Sequence, residues 1–501
     1  MSNFHSIVSR RDFMKALGLA GVGIGGSAAG APVFHDLDEL IASEGSSYSS
    51  SPSAIHNAPW WVKERDYENT TTEIDWSQII RLDQGKDWQK LCPDRPMYGS
   101  LRILLNLPQD PDMIPDPAPI LEGYIKNKYP EWKGTQTRDH ALQAANSATF
   151  GHISFLSFLG VNMFGDLRTR TPEQLGVPKH QGTPEENLKM CRAFLRLVGA
   201  HDVGNVPLTE NTRKLIFKSG ITDTAVVKEY QFTDDEKLSE NDTAWKIPNK
   251  LNNMLTYSLL NCTELCLGNT MSTPEYLACD GVGNGAIGTA VAYQRSYIAI
   301  FQLQNFLHSL GYQSVRGASC NICPSTPFGT LAGIGEHARM ATVIVSPMYG
   351  ATMRVCDRCL TDLPLAPTKP IDAGINKFCE TCGICAEECP FGSLSKGGSS
   401  WDHFLSNEPR GNGNAPGFKG WRLDIHKCNN CGICQSVCPF NSVDNSWVHS
   451  LVKSTVGTTS IFNGFFANME KNFNYGFHNP ENWWDMEQPV FGIKKEWLGG
   501  D

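Results

Sequence analysis

Beyond residue 31 the chain has no apolar run near the roughly 20 residues that a membrane-spanning helix needs, so any bilayer attachment has to come through a partner. It has no basic excess either: 43 Lys and Arg stand against 52 Asp and Glu, a formal charge of −9. Nucleic-acid binding usually shows a basic face, and this balance gives it no support. Neither His-Glu-x-x-His nor Gly-x-Ser-x-Gly occurs, so the common metalloprotease and serine-hydrolase signatures are absent. The one phosphate-loop candidate, Gly283, Gly285 and Gly288, lacks a preceding strand pattern and an acidic residue about 20 positions later. A glycine-permitted turn into a helix accounts for it better. Between residues 92 and 135, prolines at 93, 96, 108, 111, 115, 117 and 119 argue against long helices.

Cysteine is abundant, with 17 residues in the chain. Eight of them fall in two runs of identical spacing. Cys379, Cys382, Cys385 and Cys389 precede Pro390; Cys428, Cys431, Cys434 and Cys438 precede Pro439. Both read C-x2-C-x2-C-x3-C-P, the bacterial ferredoxin run whose fourth thiolate ligates the other cluster of a [4Fe–4S] pair. This assigns cluster 1 to Cys379, Cys382, Cys385 and Cys438. Cluster 2 takes Cys428, Cys431, Cys434 and Cys389. Structural zinc usually uses two C-x2-C pairs a dozen or more residues apart, which does not match. Two other pairs, Cys320 with Cys323 and Cys356 with Cys359, suit either a zinc site or buried small residues.

The N-terminus carries Ser9-Arg10-Arg11-Asp12-Phe13-Met14-Lys15, then a glycine-rich apolar stretch to Ala29 and a small-residue cleavage site at Ala29–Ala31. That pattern is similar to a twin-arginine export signal, a route for proteins already folded around their cofactors. Residues 1–31 are therefore read as signal peptide and the Ser/Pro-rich stretch 32–59 as linker. Helical periodicity covers His140 to Leu159, Glu185 to Val198 and Ile287 to Leu310; short buried strands are expected at Met254 to Leu260 and Ala341 to Pro347. The alternation argues an α/β (α+β) core over residues 60–370. A ferredoxin-like domain follows at 371–450, and an extension at 451–501 is expected to pack on the core.

Signal, core and double cysteine run together resemble the respiratory reductive dehalogenases of obligate organohalide-respiring bacteria. The segments Asn57 to Lys63 (N-A-P-W-W-V-K), Glu73 to Trp76, Lys369 to Asp372 and Phe378 to Cys382 carry the resemblance. It implies a nitroreductase-like core enclosing a base-off, cobalamin-type corrinoid beside a cluster. It also implies a Tyr proton donor assisted by a basic residue and an Asn. By pattern, Tyr293 in Ala292–Ser296 matches the Tyr, Asn321 after Ser319-Cys320 matches the Asn, and Arg354 in Met353–Val355 matches the basic residue. The segment Trp401 to Trp421 is a candidate corrinoid contact.

The expected activity follows from that resemblance. Electrons pass through two [4Fe–4S] clusters to give a Co(I) corrinoid, and the halogen of a small organohalide is replaced by hydrogen as the last step of anaerobic respiration. The enzyme would sit on the outer face of the cytoplasmic membrane, held peripherally by a small membrane-anchor subunit and fed by an upstream respiratory electron donor. Two alternatives stay open: an exported two-cluster electron-transfer subunit without catalysis of its own, and an epoxyqueuosine reductase-like enzyme.

Overall fold

The computed structural model describes residues 54–55, 58–83, 117–139, 141–142, 164–221, 226–267, 287–317, 322–341, 343–355, 357–402, 415–424, 427–428, 431–441, 447–473 and 478–485. The expected signal peptide, most of the linker, most of the helix expected from His140, Gly283, Gly285, Cys320, Asn321 and Cys356 lie outside these residues.

The alternating apolar pattern around residue 255 becomes the middle of the fold. An antiparallel sheet is ordered β1 (Val203–Pro207), β2 (Asn253–Tyr257), β6 (Arg358–Thr361) and β4 (Ser314–Arg316). Its register sets Val206 opposite Met254, Met254 opposite Leu360, and Leu360 opposite Val315. Successive side chains of a strand point to opposite faces. Those four accordingly enter one apolar core, with Phe328 and Trp245. Val203, Leu255, Tyr257 and Cys359 enter another on the far side. Every residue of β2 is buried.

The far face is covered by helix α2 (Ile287–Leu310), with the bounds its periodicity predicts. Ala292, Ala299, Leu303 and Leu307 recur at helical spacing and are fully buried there. Each buried leucine contributes about 1.5–3 kcal/mol by leaving water. Past Ser258, residues 259–260 continue as β3 (Leu259–Leu260), paired with β5 (Met353–Arg354) so that Arg354 faces Leu259. One long ribbon therefore runs from the sheet interior to the neighbourhood of the cysteines.

The helix expected at Glu185 to Val198 is found at Pro184–Leu197. Thr183 and Glu186 cap it reciprocally and Pro184 opens the first turn. Two expectations need correction. The proline-rich stretch does hold a helix, Pro117–Lys128, because both of its prolines sit in the first turn, where no N–H is required. The strand expected over Ala341 to Pro347 shrinks to Ile344–Val345, paired with Glu336–His337. Ala341 takes a positive φ of 59° in the turn between them.

A third core belongs to the cysteine-bearing half. Phe378, Ile384, Ile433, Phe440, Val456 and Phe466 pack there with Trp61 from the start of the chain. Lys63–Glu64 pairs antiparallel with Ile371–Asp372, and Glu73 meets Lys419. The extension sends Val456 and Phe466 into this third core, while His478 reaches Glu264 at 3.2 Å.

Candidate active site and its cluster ligands

The two cysteine runs fold alike. Cys382-Gly383-Ile384-Cys385 and Cys431-Gly432-Ile433-Cys434 each place glycine in the left-handed region, with φ of 70° and 80°. Each glycine opens a single helical turn, Ile384–Glu387 or Ile433–Ser436. Glycine adopts that backbone without steric cost, so a sharp change of direction brings cysteines three residues apart toward one centre. Helix α3 (Ile375–Cys382) presents Cys379 and Cys382. Its start is capped by the fully buried Glu336, which accepts from the N–H groups of Ala373 at 2.6 Å, Ile375 at 3.1 Å and Asn376 at 3.2 Å. Burial holds that carboxyl above its usual range despite these donors.

The eight thiols sort into two sets. One cavity is lined by Cys389, Cys428, Cys431 and Cys434 among Met340, Phe391, Leu394 and Leu423. Cys389 comes from the first run and the other three from the second. Electrostatic neighbours agree: Cys434 is raised by burial and then by repulsion from Cys428 and Cys389. Cys438, from the second run, feels Cys379 and Cys382 after burial. Cys385 feels Cys379, Cys434, Cys382 and Cys438, so the two sets touch there. Burial pushes Cys379 and Cys434 up to about 12 and Cys382 to about 11. These groups need a compensating cation to become thiolates, and iron supplies one. Among the described residues no three His, Cys, Asp or Glu donors converge on a single ion; a four-iron cube takes its thiolates at separate corners. Apolar wall and donor set fit such a cube in the Cys389, Cys428, Cys431 and Cys434 cavity, and the buried donors Cys379, Cys382, Cys385 and Cys438 fit a second.

Of the three catalytic candidates, Tyr293 and Arg354 lie among the described residues. Tyr293 is half-buried on α2 against the apolar core that holds Leu255 and Leu259. Thr289 and Ser296, four residues before and three after, share its helix face. Asn261 Nδ2 reaches Thr289 Oγ1 at 3.5 Å, and Ser296 Oγ donates to the buried Asp357. Asp357 also meets Arg316 at 3.5 Å. Arg354, on β5, is close enough to both Cys266 and Cys434 to favour their thiolates. The structure thus brings Arg354 between the second cysteine set and the elements that carry Tyr293. Asn321 lies outside the described residues. Of the segment Trp401 to Trp421, Trp401 is exposed, Trp421 is buried with Nε1 donating to Gly397 O at 3.2 Å, and 403–414 lie outside the described residues.

Sequence reading did not single out α1 (Thr263–Leu267), which joins the two halves. Ser436 Oγ donates to Cys266 O, and Cys262 N–H donates to Gly288 O at 2.9 Å. A Cβ at Gly288 would lie 2.5 Å from Cys262 O, so that glycine serves close helix packing. The spacing of Cys262 and Cys266, one helical turn apart, was the available signal. Nor were Glu336, Arg339 or Lys453 singled out. Of the looser cysteine pairs, Cys323 and Cys359 are fully buried; after burial, Cys359 is influenced by Ser314, Cys191, Asp357 and Arg316.

A corrinoid needs polar groups around its amide-bearing edge. Four buried side-chain atoms at this junction have no hydrogen-bond partner among the described residues: Asn261 Oδ1, Thr263 Oγ1, Arg354 Nε and Gln435 Oε1. Buried polar atoms are normally paired, and these four fit a polar-rimmed group bound between α1, the ribbon and the second cysteine set.

Comparison with known proteins matches this layout. A family profile described as the reductive dehalogenase subunit covers residues 124–365, and a 4Fe-4S dicluster domain covers 378–442. The trichloroethene reductive dehalogenase of Dehalococcoides mccartyi is 34% identical, over 98% of both chains. The chloroethene reductive dehalogenase of the same species is 33% identical, over 98% of this chain and 99% of its own. A solved catabolic reductive dehalogenase shares the fold at a TM-score of 0.54 and 17% identity. A second, described as B12-dependent, does so at 0.55 and 17%. This chain is covered to 85% in both and spans about half their length, 51%. With two crossed cysteine sets behind a mixed α/β core, and full-length identity above 30% to curated members, the chain belongs to the reductive dehalogenase family, as a catalytic subunit carrying its own two-cluster iron–sulfur domain.

Proposed function

We propose that this subunit replaces a halogen of a small chlorinated hydrocarbon by hydrogen, using a base-off corrinoid seated at the α1–ribbon junction, with Tyr293 as proton donor. The observation that carries the proposal is the place of Arg354: beside Cys434 on one side, and on the ribbon against which the Tyr293 helix packs on the other. When bound, the corrinoid supplies the low-valent cobalt that breaks the carbon–halogen bond, with electrons from the clusters.

The chain's own residues then have separable tasks. An unperturbed tyrosine has a pKa near 10 and is a reluctant acid at neutral pH. A guanidinium nearby favours phenolate and so eases release of the Oη proton. Arg354 acts by charge. Asn321 orients the phenol or contacts the leaving halogen. Asn261, Thr263 and Gln435 would hold the edge of the corrinoid. Cys389, Cys428, Cys431 and Cys434, the set next to Arg354, would hold the cluster on the catalytic side, and Cys379, Cys382, Cys385 and Cys438 would hold the one on the donor side.

We further propose export by the twin-arginine route and peripheral attachment to the outer face of the cytoplasmic membrane through a small anchor subunit. The Ser9–Lys15 motif supports this, and among the described residues no helix is long and apolar enough to cross a membrane. Chlorinated ethenes are the first substrates to try, because the relatives matched along their whole length are named for them.

The test is anaerobic purification with corrinoid supplied, followed by cobalt and iron analysis and a halide-release assay across ethenes, ethanes and aromatics. Bound cobalt and chloride release from at least one substrate are expected. Two intact clusters with no corrinoid bound would leave an electron carrier and overturn the proposal.

A further inference from the structure

We infer that Arg339 and Lys453 are buried cations that hold cluster 1 at a higher reduction potential than its thiolates alone would give, and that Arg339 is also a positioning residue for Cys379. The inference rests on the cysteine assignment and is independent of the corrinoid chemistry.

Arg339 is 2% exposed. Its Nε and Nη2 donate to Cys379 O at 3.1 and 2.8 Å. Its Nη1 donates to Ser395 O at 2.9 Å and Gly397 O at 2.6 Å. The guanidinium also lies over the Trp421 ring, 4.9 Å from its centroid. Among the described residues no carboxylate pairs with it. A buried charge without a counter-charge is strongly unfavourable. Carbonyl oxygens and an aromatic face supply only partial negative charge. A thiolate-bound iron–sulfur cluster, net negative and more so once reduced, supplies the rest.

The geometry aims this charge at cluster 1. The guanidinium favours thiolate at both Cys379 and Cys382, and the backbone N–H of Arg339 donates toward the Cys379 sulfur. Lys453, 7% exposed, donates from Nζ to Met348 O at 3.3 Å; it shares its helix with Val456, which packs in the same core as Cys438, and Cys438 favours its charged form against the pull of burial. The two cations therefore approach cluster 1 through different ligands. The opposing acids nearby are Glu336, beside Cys379, and Glu470, beside Cys382 and Cys438. Net charge and hydrogen bonds to the sulfurs set a cluster's potential. Both act here in the direction that stabilises the added electron.

The test is an EPR-monitored redox titration of the iron-loaded protein, with Cys379→Ser identifying the midpoint that belongs to cluster 1. In Arg339→Gln and Lys453→Gln that midpoint should move negative while the other stays. The expected change is about tenfold in the oxidised-to-reduced ratio at fixed potential, about 59 mV for a one-electron couple. Arg339→Lys, which keeps the charge, should recover most of the shift. Should Arg339→Gln fail to load cluster 1, Lys453→Gln decides alone. An unmoved cluster 1 midpoint in a fully loaded Lys453→Gln protein, or equal movement of both midpoints, overturns the inference.

Discussion

Cys389 and Cys434 come from different cysteine runs yet line one cavity, and Cys389 is among the groups that raise the Cys434 thiol. The first run therefore sends its fourth cysteine into the second run's set. Phe378, Ile384, Ile433 and Phe440 pack in the one core that both runs share.

The crossing makes a sharp prediction for Cys389→Ser. Although the substitution lies in the first run, it should disable cluster 2 and spare cluster 1. Iron content should fall toward about four per chain, and the surviving EPR signal should be the one lost in Cys379→Ser. Loss of the same signal in both variants would mean that each run holds its own cluster.

Acid stability has a named source at His337. The imidazole is buried, packs edge-on against Phe418, and burial and Arg422 push its pKa down to about 4. Between pH 6.5 and 4 the unfolded chain binds a proton that the folded chain refuses, so stability is fully present above pH 6.5 and falls as pH drops through that window. The linkage amounts to about 3 kcal/mol. In His337→Leu this part of the acid slope should vanish, whatever the variant's stability at pH 7.5. Unfolding midpoints from pH 7.5 to 4 measure it, and an unchanged slope would assign the acid sensitivity elsewhere.

Arg354→Met should lower halide release roughly a hundredfold, the scale of one lost electrostatic contact to developing charge, with iron and cobalt still bound. Arg354→Lys should recover only part, since lysine presents a point charge in place of a fork. Wild-type turnover in Arg354→Met would remove Arg354 from the catalytic group.

Much of this was legible because covalent spacing cannot be disguised. A C-x2-C-x2-C-x3-C-P run has few uses, and the 3.6-residue period of Ile287–Leu310 survived folding intact. The helix at Pro117 was missed because proline counts as a breaker everywhere except in a first turn, and the sequence does not say where turns begin. Glu336, Arg339 and Lys453 carry no local signature at all. Their roles come from contacts with residues 373–376, 379 and 348, brought near by tertiary packing. Gly288, read as part of a glycine-permitted turn into a helix, sits in the first turn of α2 with Cys262 packed against it.

The central claim is that Tyr293 gives its proton to the dehalogenated product. Chloride release by Tyr293→Phe, matched with the natural chain for bound iron and cobalt, tests it most directly. Phenylalanine keeps the ring in its half-buried place on α2 and removes only the hydroxyl, so both proteins should hold two clusters and a corrinoid. The expected result is loss of at least about 99% of turnover, within the range by which general acids accelerate reactions. Turnover close to that of the natural chain, with cofactors intact, would contradict it.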